Sequence, residues 1–397
     1  MLNKIKDTDS KVYMNTFGNR LPVCFSEGKG MKLISTENEE FYDFLGGIAV
    51  NAVGHCHPYF VEKLKVQVSK LIHVSNLYYI ESQTKLAKRL TEKTCMDKVF
   101  FANSGAEANE GAFKLAKMYF HKKNSPRFEI ISLDHSFHGR TLATVAATGQ
   151  EKYQKPYKPL TPGFVQVEAN NIEALKAVIT DKTAAILLEP IQGESGVHPM
   201  DADYLKEVRK LCNEKGILLI FDEVQTGMGR CGKLFAYELF GIEPDIMTSA
   251  KALGGGVPIG AVLAKDFVAS AFEPGDHGST FGGNPLATAA GNAVLDIYEN
   301  ENLIEKSNEM GKLFKNKLTD LQCKYPDKIK EIRGYGLLIG IELVETIAKD
   351  VFTKLFENKI LTSLCYNTIR IAPPLIISEN DIDYFINSLE YILKGIN

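Results

Sequence analysis

Short apolar runs recur through the middle of this 397-residue chain, at residues 99–102, 128–133, 184–188, 217–221, 246–247 and 259–263. Each is strand-length, and several are separated by stretches with helical spacing, notably 106–120 and 203–214. Runs that are apolar throughout, rather than alternating, belong to strands covered on both faces. The alternation therefore predicts an α/β fold, a mostly parallel sheet flanked by helices. Ligands in such sheets sit beyond the carboxyl ends of the strands. That rule draws attention to the polar residues that close these runs: Asn103-Ser104, Asp134-His135, Glu189, Asp222 and Lys251.

The two ends read differently. Residues 1–50 carry hairpin-like turns at Gly28-Lys29-Gly30 and Glu37-Asn38-Glu39 between short strands. Beyond residue 286, long helical patterns (287–302 and 304–324) lead to Gly334-Tyr335-Gly336 and a strand at 337–343. The expected organisation is a large domain over 51–285 and a smaller α+β domain over 286–397, with segment 1–50 packing against the smaller one.

Composition narrows the function. With 46 basic and 49 acidic residues the formal charge is −3, and no block of like charge occurs. No broad nucleic-acid footprint is expected. No stretch approaches the ~20 apolar residues of a membrane span, and the N-terminus lacks the apolar core of a signal peptide. Seven scattered cysteines form no Cys-x-x-Cys pair, which points to reduced thiols and a cytoplasmic protein without a structural metal.

Several clusters suggest chemistry, and each also has an ordinary structural reading. Ser104-Gly105-Ala106-Glu107 has the form of a capping box directly after a strand, where free N–H groups and the helix dipole suit a phosphate. Phe137-His138-Gly139-Arg140 offers an aromatic face and a planar fork of donors. Glu189 and Glu194 place two carboxylates after a buried strand, where an acid–base couple is one reading and a gate or loop support the favoured one. Gly278-Ser279-Thr280 adds hydroxyls in a glycine-rich loop. Gly54-His55-Cys56-His57 reads as a structural turn rather than a metal site. Asp222 ends a buried run, where a carboxylate is costly without a partner. Lys251 follows another and precedes Gly254-Gly255-Gly256. A lysine that forms a Schiff base and an acid that keeps a pyridine nitrogen protonated are what pyridoxal phosphate requires.

Taken together and in this order, the clusters resemble one family, the class III pyridoxal-phosphate aminotransferases, and within it the acetylornithine aminotransferase branch. The resemblance runs from Phe41-Tyr42-Asp43 through Asn103-Ser104-Gly105-Ala106-Glu107-Ala108-Asn109 and Phe137-His138-Gly139-Arg140-Thr141. It continues through Leu188-Glu189-Pro190-Ile191-Gln192-Gly193-Glu194, Asp222-Glu223-Val224-Gln225-Thr226-Gly227 and Ala250-Lys251-Ala252, and reaches Arg370-Ile371-Ala372-Pro373-Pro374.

This resemblance implies fold type I and a homodimer with shared active sites. Lys251 would carry the cofactor, Asp222 would pair with its ring nitrogen, Gln225 would contact the ring oxygen, and Phe137 would stack on the ring. Glu223 and Val224 would complete the cofactor's surroundings. Gly105 and Ala106 would bind phosphate through their backbone, and Thr280 would complete that site from the neighbouring subunit, with Ser279 near the substrate. Arg140 and Arg370 would bind substrate carboxylates, and Glu194 would pair with Arg370 when the amine donor is bound. The implied substrates are N2-acetylornithine and 2-oxoglutarate. Ornithine, succinylornithine, succinyl-diaminopimelate and 4-aminobutyrate are alternative donors, and a cofactor-binding relative without transaminase activity is the alternative of another class. Ornithine-specific members tend to carry a tyrosine just before a Leu-Pro-Val segment. Here Leu21-Pro22-Val23 follows Gly18-Asn19-Arg20, which favours an acylated amine.

Overall fold

The computed structural model describes residues 1–396. An exposed helix, Leu2–Val12, leads into three antiparallel strands, β1 (Phe25–Lys29), β2 (Lys32–Ser35) and β3 (Glu40–Asp43). The hairpin turns read from the sequence join these strands; the preceding helix was not anticipated. It buries none of its residues, so it lacks the apolar stripe by which helices announce themselves.

The central sheet has seven strands: β4 (Lys98–Ala102), β5 (Glu129–Leu133), β6 (Phe164–Val167), β7 (Thr183–Leu188), β10 (Leu218–Asp222), β11 (Ile246–Ser249) and β12 (Gly260–Ala264). A small hairpin of β8 (Ile191–Gln192) and β9 (His198–Pro199) lies outside it. The spatial order is β4-β12-β11-β10-β7-β5-β6. All six apolar runs become strands of this sheet, and β6 is the seventh. Its sequence, Phe-Val-Gln-Val, places a glutamine inside a short run, which hid it. The sheet is parallel from β6 to β11, whereas β12 runs antiparallel to both β11 and β4. A hydrophobic run carries no direction, so the reversal at β12 was not legible. The strands β7, β10, β11 and β12 are buried along their whole length.

The helix Gly105–His121 follows β4 and buries Ala108, Ala112, Leu115 and Ala116, a stripe at helical spacing. The helix Pro285–Glu301 begins with proline in its first turn and Asn284 capping the Ala287 N–H, a start that costs no internal hydrogen bond.

The last sheet comprises β13 (Ile329–Tyr335), β14 (Leu338–Leu343), β16 (Ser363–Cys365) and β17 (Thr368–Ile371), all antiparallel. Between them β15 (Ile360–Leu361) crosses to pair in parallel with β3, so the N-terminal strands form one sheet with a C-terminal segment.

Arg230 ties this region to the central sheet. It is completely buried, and its Nη1 donates to the carbonyls of Leu337 (3.1 Å) and Pro373 (2.5 Å). Burial without a carboxylate partner pulls its guanidinium down to about 10.

Gly260 opens β12 against the cap of the Gly105–His121 helix. A Cβ there would lie 2.3 Å from the Ser104 carbonyl oxygen. Since that neighbour is backbone, Gly260→Ala is expected to destabilise by about 1–3 kcal/mol and to displace the helix cap. A urea midpoint within error of the parent would refute this.

Candidate active site

Strand ends and helix starts converge on a cavity of about 430 Å³, within the size range of small-molecule sites. Its wall includes Ser104, Gly105 and Ala106 at one helix start, Phe137 to Arg140 after β5, Glu189 after β7, Asp222 at the end of β10 with Val224 and Gln225 just after it, and Lys251 after β11. Asn103 and Asn109 line it too.

Asp222 is the last residue of β10 and is 4 % exposed. Its Oδ2 accepts from Asn109 Nδ2 at 2.8 Å and lies 2.8 Å from His138 Nδ1, and its Oδ1 accepts from the Val224 N–H at 3.0 Å. Asn109 is fixed in turn, donating to the His138 carbonyl and accepting from the Thr248 hydroxyl. Asn109 and His138 were quoted in the sequence motifs without a role. Only spatial proximity reveals that they hold Asp222 in place, since Asn109 is 113 residues away from it in the chain.

Lys251 starts a short 3₁₀ turn with φ of +44°. A left-handed backbone is strained for a side chain with a Cβ, and such strain concentrates at functional positions. Burial of the amine, reinforced by Arg370 and partly opposed by Glu194, Asp222 and Glu189, holds its pKa below the usual lysine range. Glu189 accepts from the Phe137 N–H at 3.0 Å. Burial, and then the charge of Asp222, push its carboxyl well above the ordinary value.

At the helix start, Ser104 Oγ caps the Glu107 N–H at 3.1 Å. The full capping box does not form, because Glu107 reaches back to the N–H and side-chain amide of Asn103 instead. A Cβ on Gly105 would lie 2.7 Å from Val224 Cγ1. Glycine there lets the backbone donors of the helix start share the cavity with Val224. These features fit pyridoxal phosphate: a helix start for the phosphate, the apolar surfaces of Phe137 and Val224 for the ring, a buried acid and a buried amine.

Arg370 and Glu194 lie next to this wall, beyond Gln225. Arg370 Nη1 donates to Glu194 Oε1 at 2.7 Å and to Gln225 Oε1 and the Gly193 carbonyl at 3.3 Å each, and its Nε donates to Ser363 Oγ at 3.0 Å. Burial alone would raise the Glu194 carboxyl, but Arg370, Lys251 and Arg140 outweigh it and keep it below its ordinary value. Arg140 is exposed and packs its guanidinium against Tyr153, a residue the sequence did not single out.

Three expected site residues are not brought to the cavity by this chain. Glu223 faces away: its carboxylate accepts from the N–H groups of Ala236 and Tyr237 and from Thr226 Oγ1, all at 2.7 Å. Burial raises it to about 7. It supports a turn, a correction to the expected cofactor contact. Ser279 Oγ accepts from Asn103 Nδ2 and the Gly282 N–H, and Thr280 is exposed. His55 and His57 bind separate carboxylates, Asp43 at 2.7 Å and Glu301 at 2.9 Å, so the two histidines do not converge.

The neutral amine is the nucleophile, so a lowered lysine pKa has a direct consequence. The rate at which cofactor-free protein captures pyridoxal phosphate should rise with pH, with a midpoint below the ~10.4 of a free lysine side chain. Stopped-flow absorbance measures this, and a midpoint at or above the free value would contradict the burial described for Lys251.

Sequence comparison is in keeping with this geometry. The family model Aminotransferase class-III matches residues 13–393. The acetylornithine aminotransferase of Methanocaldococcus jannaschii is 52 % identical over 392 residues, 98 % of each chain. That of Caldanaerobacter subterraneus is 49 % identical, again over 98 % of each. Among solved structures, the ornithine aminotransferase of Toxoplasma gondii superposes with a TM-score of 0.95 at 32 % identity, covering 100 % of this chain and 95 % of that one. The acetylornithine aminotransferase of Elizabethkingia anophelis gives 0.88 at 34 % identity, over 99 % of both. Another structure of the Toxoplasma enzyme has partial occupancy of PLP at its active site. The chain belongs to the class III aminotransferases and is a pyridoxal-phosphate-dependent transaminase.

Proposed function

We propose that the enzyme transfers the δ-amino group of N2-acetylornithine to 2-oxoglutarate, giving N-acetylglutamate 5-semialdehyde and glutamate in arginine biosynthesis. The observation that carries this reading is the unlike state of two arginines beside one cavity. Arg370 has its Nη1 and Nε engaged by Glu194, Gln225, Gly193 and Ser363, while Arg140 has aromatic rings as its neighbours and no hydrogen bond among the described residues. A donor with one carboxylate and a distal amine needs one open arginine. A dicarboxylic acceptor needs two, so Glu194 must release Arg370 for it. The curated relatives at 49–52 % identity carry the acetylornithine name, which supports the choice of donor.

When bound, pyridoxal phosphate supplies an electron sink that labilises the proton on the amine-bearing carbon. Asp222, fixed by Asn109 and His138, would hold the proton of the ring nitrogen. Gly105 and Ala106 would donate their N–H groups to the phosphate, Phe137 and Val224 would enclose the ring, and Gln225 would meet the ring oxygen. Lys251 Nζ would take the proton from the δ carbon of the donor and, in the second half-reaction, would deliver a proton to the α carbon of the new glutamate. Arg140 orients the α-carboxylate of acetylornithine and then the distal carboxylate of 2-oxoglutarate. Arg370 takes the α-carboxylate of 2-oxoglutarate or glutamate.

The working unit in this reading is a homodimer. Leu77 is 83 % exposed and Tyr79 wholly exposed, and this segment joins the Ser279-to-Gly282 loop through Asn76, which donates to the Ser279 and Gly282 carbonyls. Phe281 in that loop is also exposed, and large apolar side chains left in water on adjoining segments mark a protein interface. Thr280 within it completes the phosphate site of a second copy, and Ser279 lies near that copy's substrate. Residues 51–285 act as the cofactor-binding domain, and 286–397 with segment 1–50 as the smaller domain that carries Arg370. The substrate pathway and the seven free cysteines are in keeping with the cytoplasm. No helix among the described residues is long and apolar enough to cross a membrane. Sedimentation of the holoenzyme tests the dimer, and a monomer would refute it.

The substrate reading is tested by spectral titration of each half-reaction. Acetylornithine should be among the best donors when compared with succinylornithine, ornithine and 4-aminobutyrate. Arg370→Ala should slow the glutamate half-reaction by roughly 30-fold or more, the scale of losing a buried charged partner, and the acetylornithine half-reaction much less. Equal losses in both would contradict the switch.

A further inference from the structure

Arg140 is held in an unusual way for an exposed cation at the mouth of a cavity. Its guanidinium carbon lies 3.9 Å from the centroid of the Tyr153 ring and 5.5 Å from that of Phe137. The two rings meet edge to face, 5.8 Å apart at 77°. Among the described residues the Arg140 side chain has no hydrogen bond and no ion pair; its contacts are these two aromatic ones. Tyr153 sits half-buried on the short helix Glu151–Gln154, and its hydroxyl makes no hydrogen bond among the described residues. The ring itself is therefore what the fold uses.

An aromatic face attracts a guanidinium through its quadrupole without occupying any N–H donor. A carboxylate partner would fix the same arginine but fill the very donors that a substrate carboxylate needs, as Glu194 does for Arg370. A ring thus orders Arg140 before the substrate arrives and leaves the bidentate fork open. Ordering in the free enzyme also reduces the entropy lost on binding.

We propose that Tyr153 is a positioning residue for carboxylate recognition, its ring holding the Arg140 guanidinium in place with all donors free. This makes Arg140 the permanently open carboxylate site and Arg370 the gated one. Lys152, whose ammonium lies 4.8 Å from the Tyr153 ring centroid and 4.9 Å from that of Tyr366, shares the ring but belongs to the outer surface of the short helix. The proposal rests on the reading of Arg140 as the site of the donor carboxylate.

The test compares N2-acetylornithine with N-acetylputrescine, the same amine without its carboxylate, as donors to the holoenzyme. Tyr153→Ala and Tyr153→Leu should each lower the preference for acetylornithine, as a ratio of kcat/KM values, by roughly two- to fivefold, the range of a cation–π contact at an exposed site. The loss should lie in KM rather than kcat. Tyr153→Phe should keep the parent ratio, because the ring face is retained. In an Arg140→Ala background, Tyr153→Leu should change the ratio no further, since the two residues act as one unit.

An unchanged ratio in Tyr153→Leu and Tyr153→Ala, together with a loss in Arg140→Ala, would overturn the role of Tyr153 alone. So would a loss in Tyr153→Phe equal to that in Tyr153→Leu, or an additive effect in the double variant. If Arg140→Ala itself leaves the ratio unchanged, the carboxylate assignment of Arg140 falls and this proposal falls with it.

Discussion

A carboxylate at the end of a buried strand governs the architecture of this site. Asp222 is almost wholly withdrawn from water, and an ionised carboxylate in that position is stable only when its lone pairs are filled. Asn109, His138 and the Val224 N–H fill part of that requirement. Each comes from a different element, the first from the helix after β4, the second from the loop after β5 and the third from the turn after β10 itself. The acid therefore fixes the relative placement of three segments that form the cavity wall. The same low-dielectric surroundings raise Glu189 and lower Lys251. A group of buried ionisable side chains at one sheet edge is a strained arrangement, and a bound cofactor with a cationic ring and an anionic phosphate offsets it.

In the proposed function, substrate choice rests on a contrast between two arginines beside the cavity. One has its Nη1 and Nε engaged by a carboxylate, an amide, a carbonyl and a hydroxyl, and the other is laid on aromatic rings with its donors spare. Arg370 arrives from β17, which reaches the central sheet through the backbone clamp that Arg230 makes on Leu337 and Pro373. The seating of the C-terminal sheet thereby sets where Arg370 stands relative to the cavity.

Much of this was legible in the chain. Six apolar runs located six strands of the central sheet, because strands buried on both faces leave no other pattern. The polar residues that end those runs identified Glu189, Asp222 and Lys251 as neighbours of one cavity. The motif order pointed to the cofactor and to Arg140, Glu194 and Arg370. What escaped has physical reasons. Strand β6 carries a glutamine in a four-residue run, and the direction of β12 is invisible to hydrophobicity. Asn109, His138 and Tyr153 act through contacts that exist only after folding. Glu223 lies beside Asp222 in the chain, but in an extended segment successive side chains point to opposite faces. The resemblance implied a cofactor contact where the Glu223 carboxylate instead holds the Ala236–Tyr237 turn.

The central claim is that Asp222 keeps the ring nitrogen of pyridoxal phosphate protonated. The ¹⁵N chemical shift of cofactor labelled at that nitrogen, bound to the parent and to Asp222→Asn, tests it most directly. The account predicts a protonated pyridine nitrogen in the parent at neutral pH and its loss in the variant. A deprotonated nitrogen in the parent, or the same shift in both proteins, would contradict it.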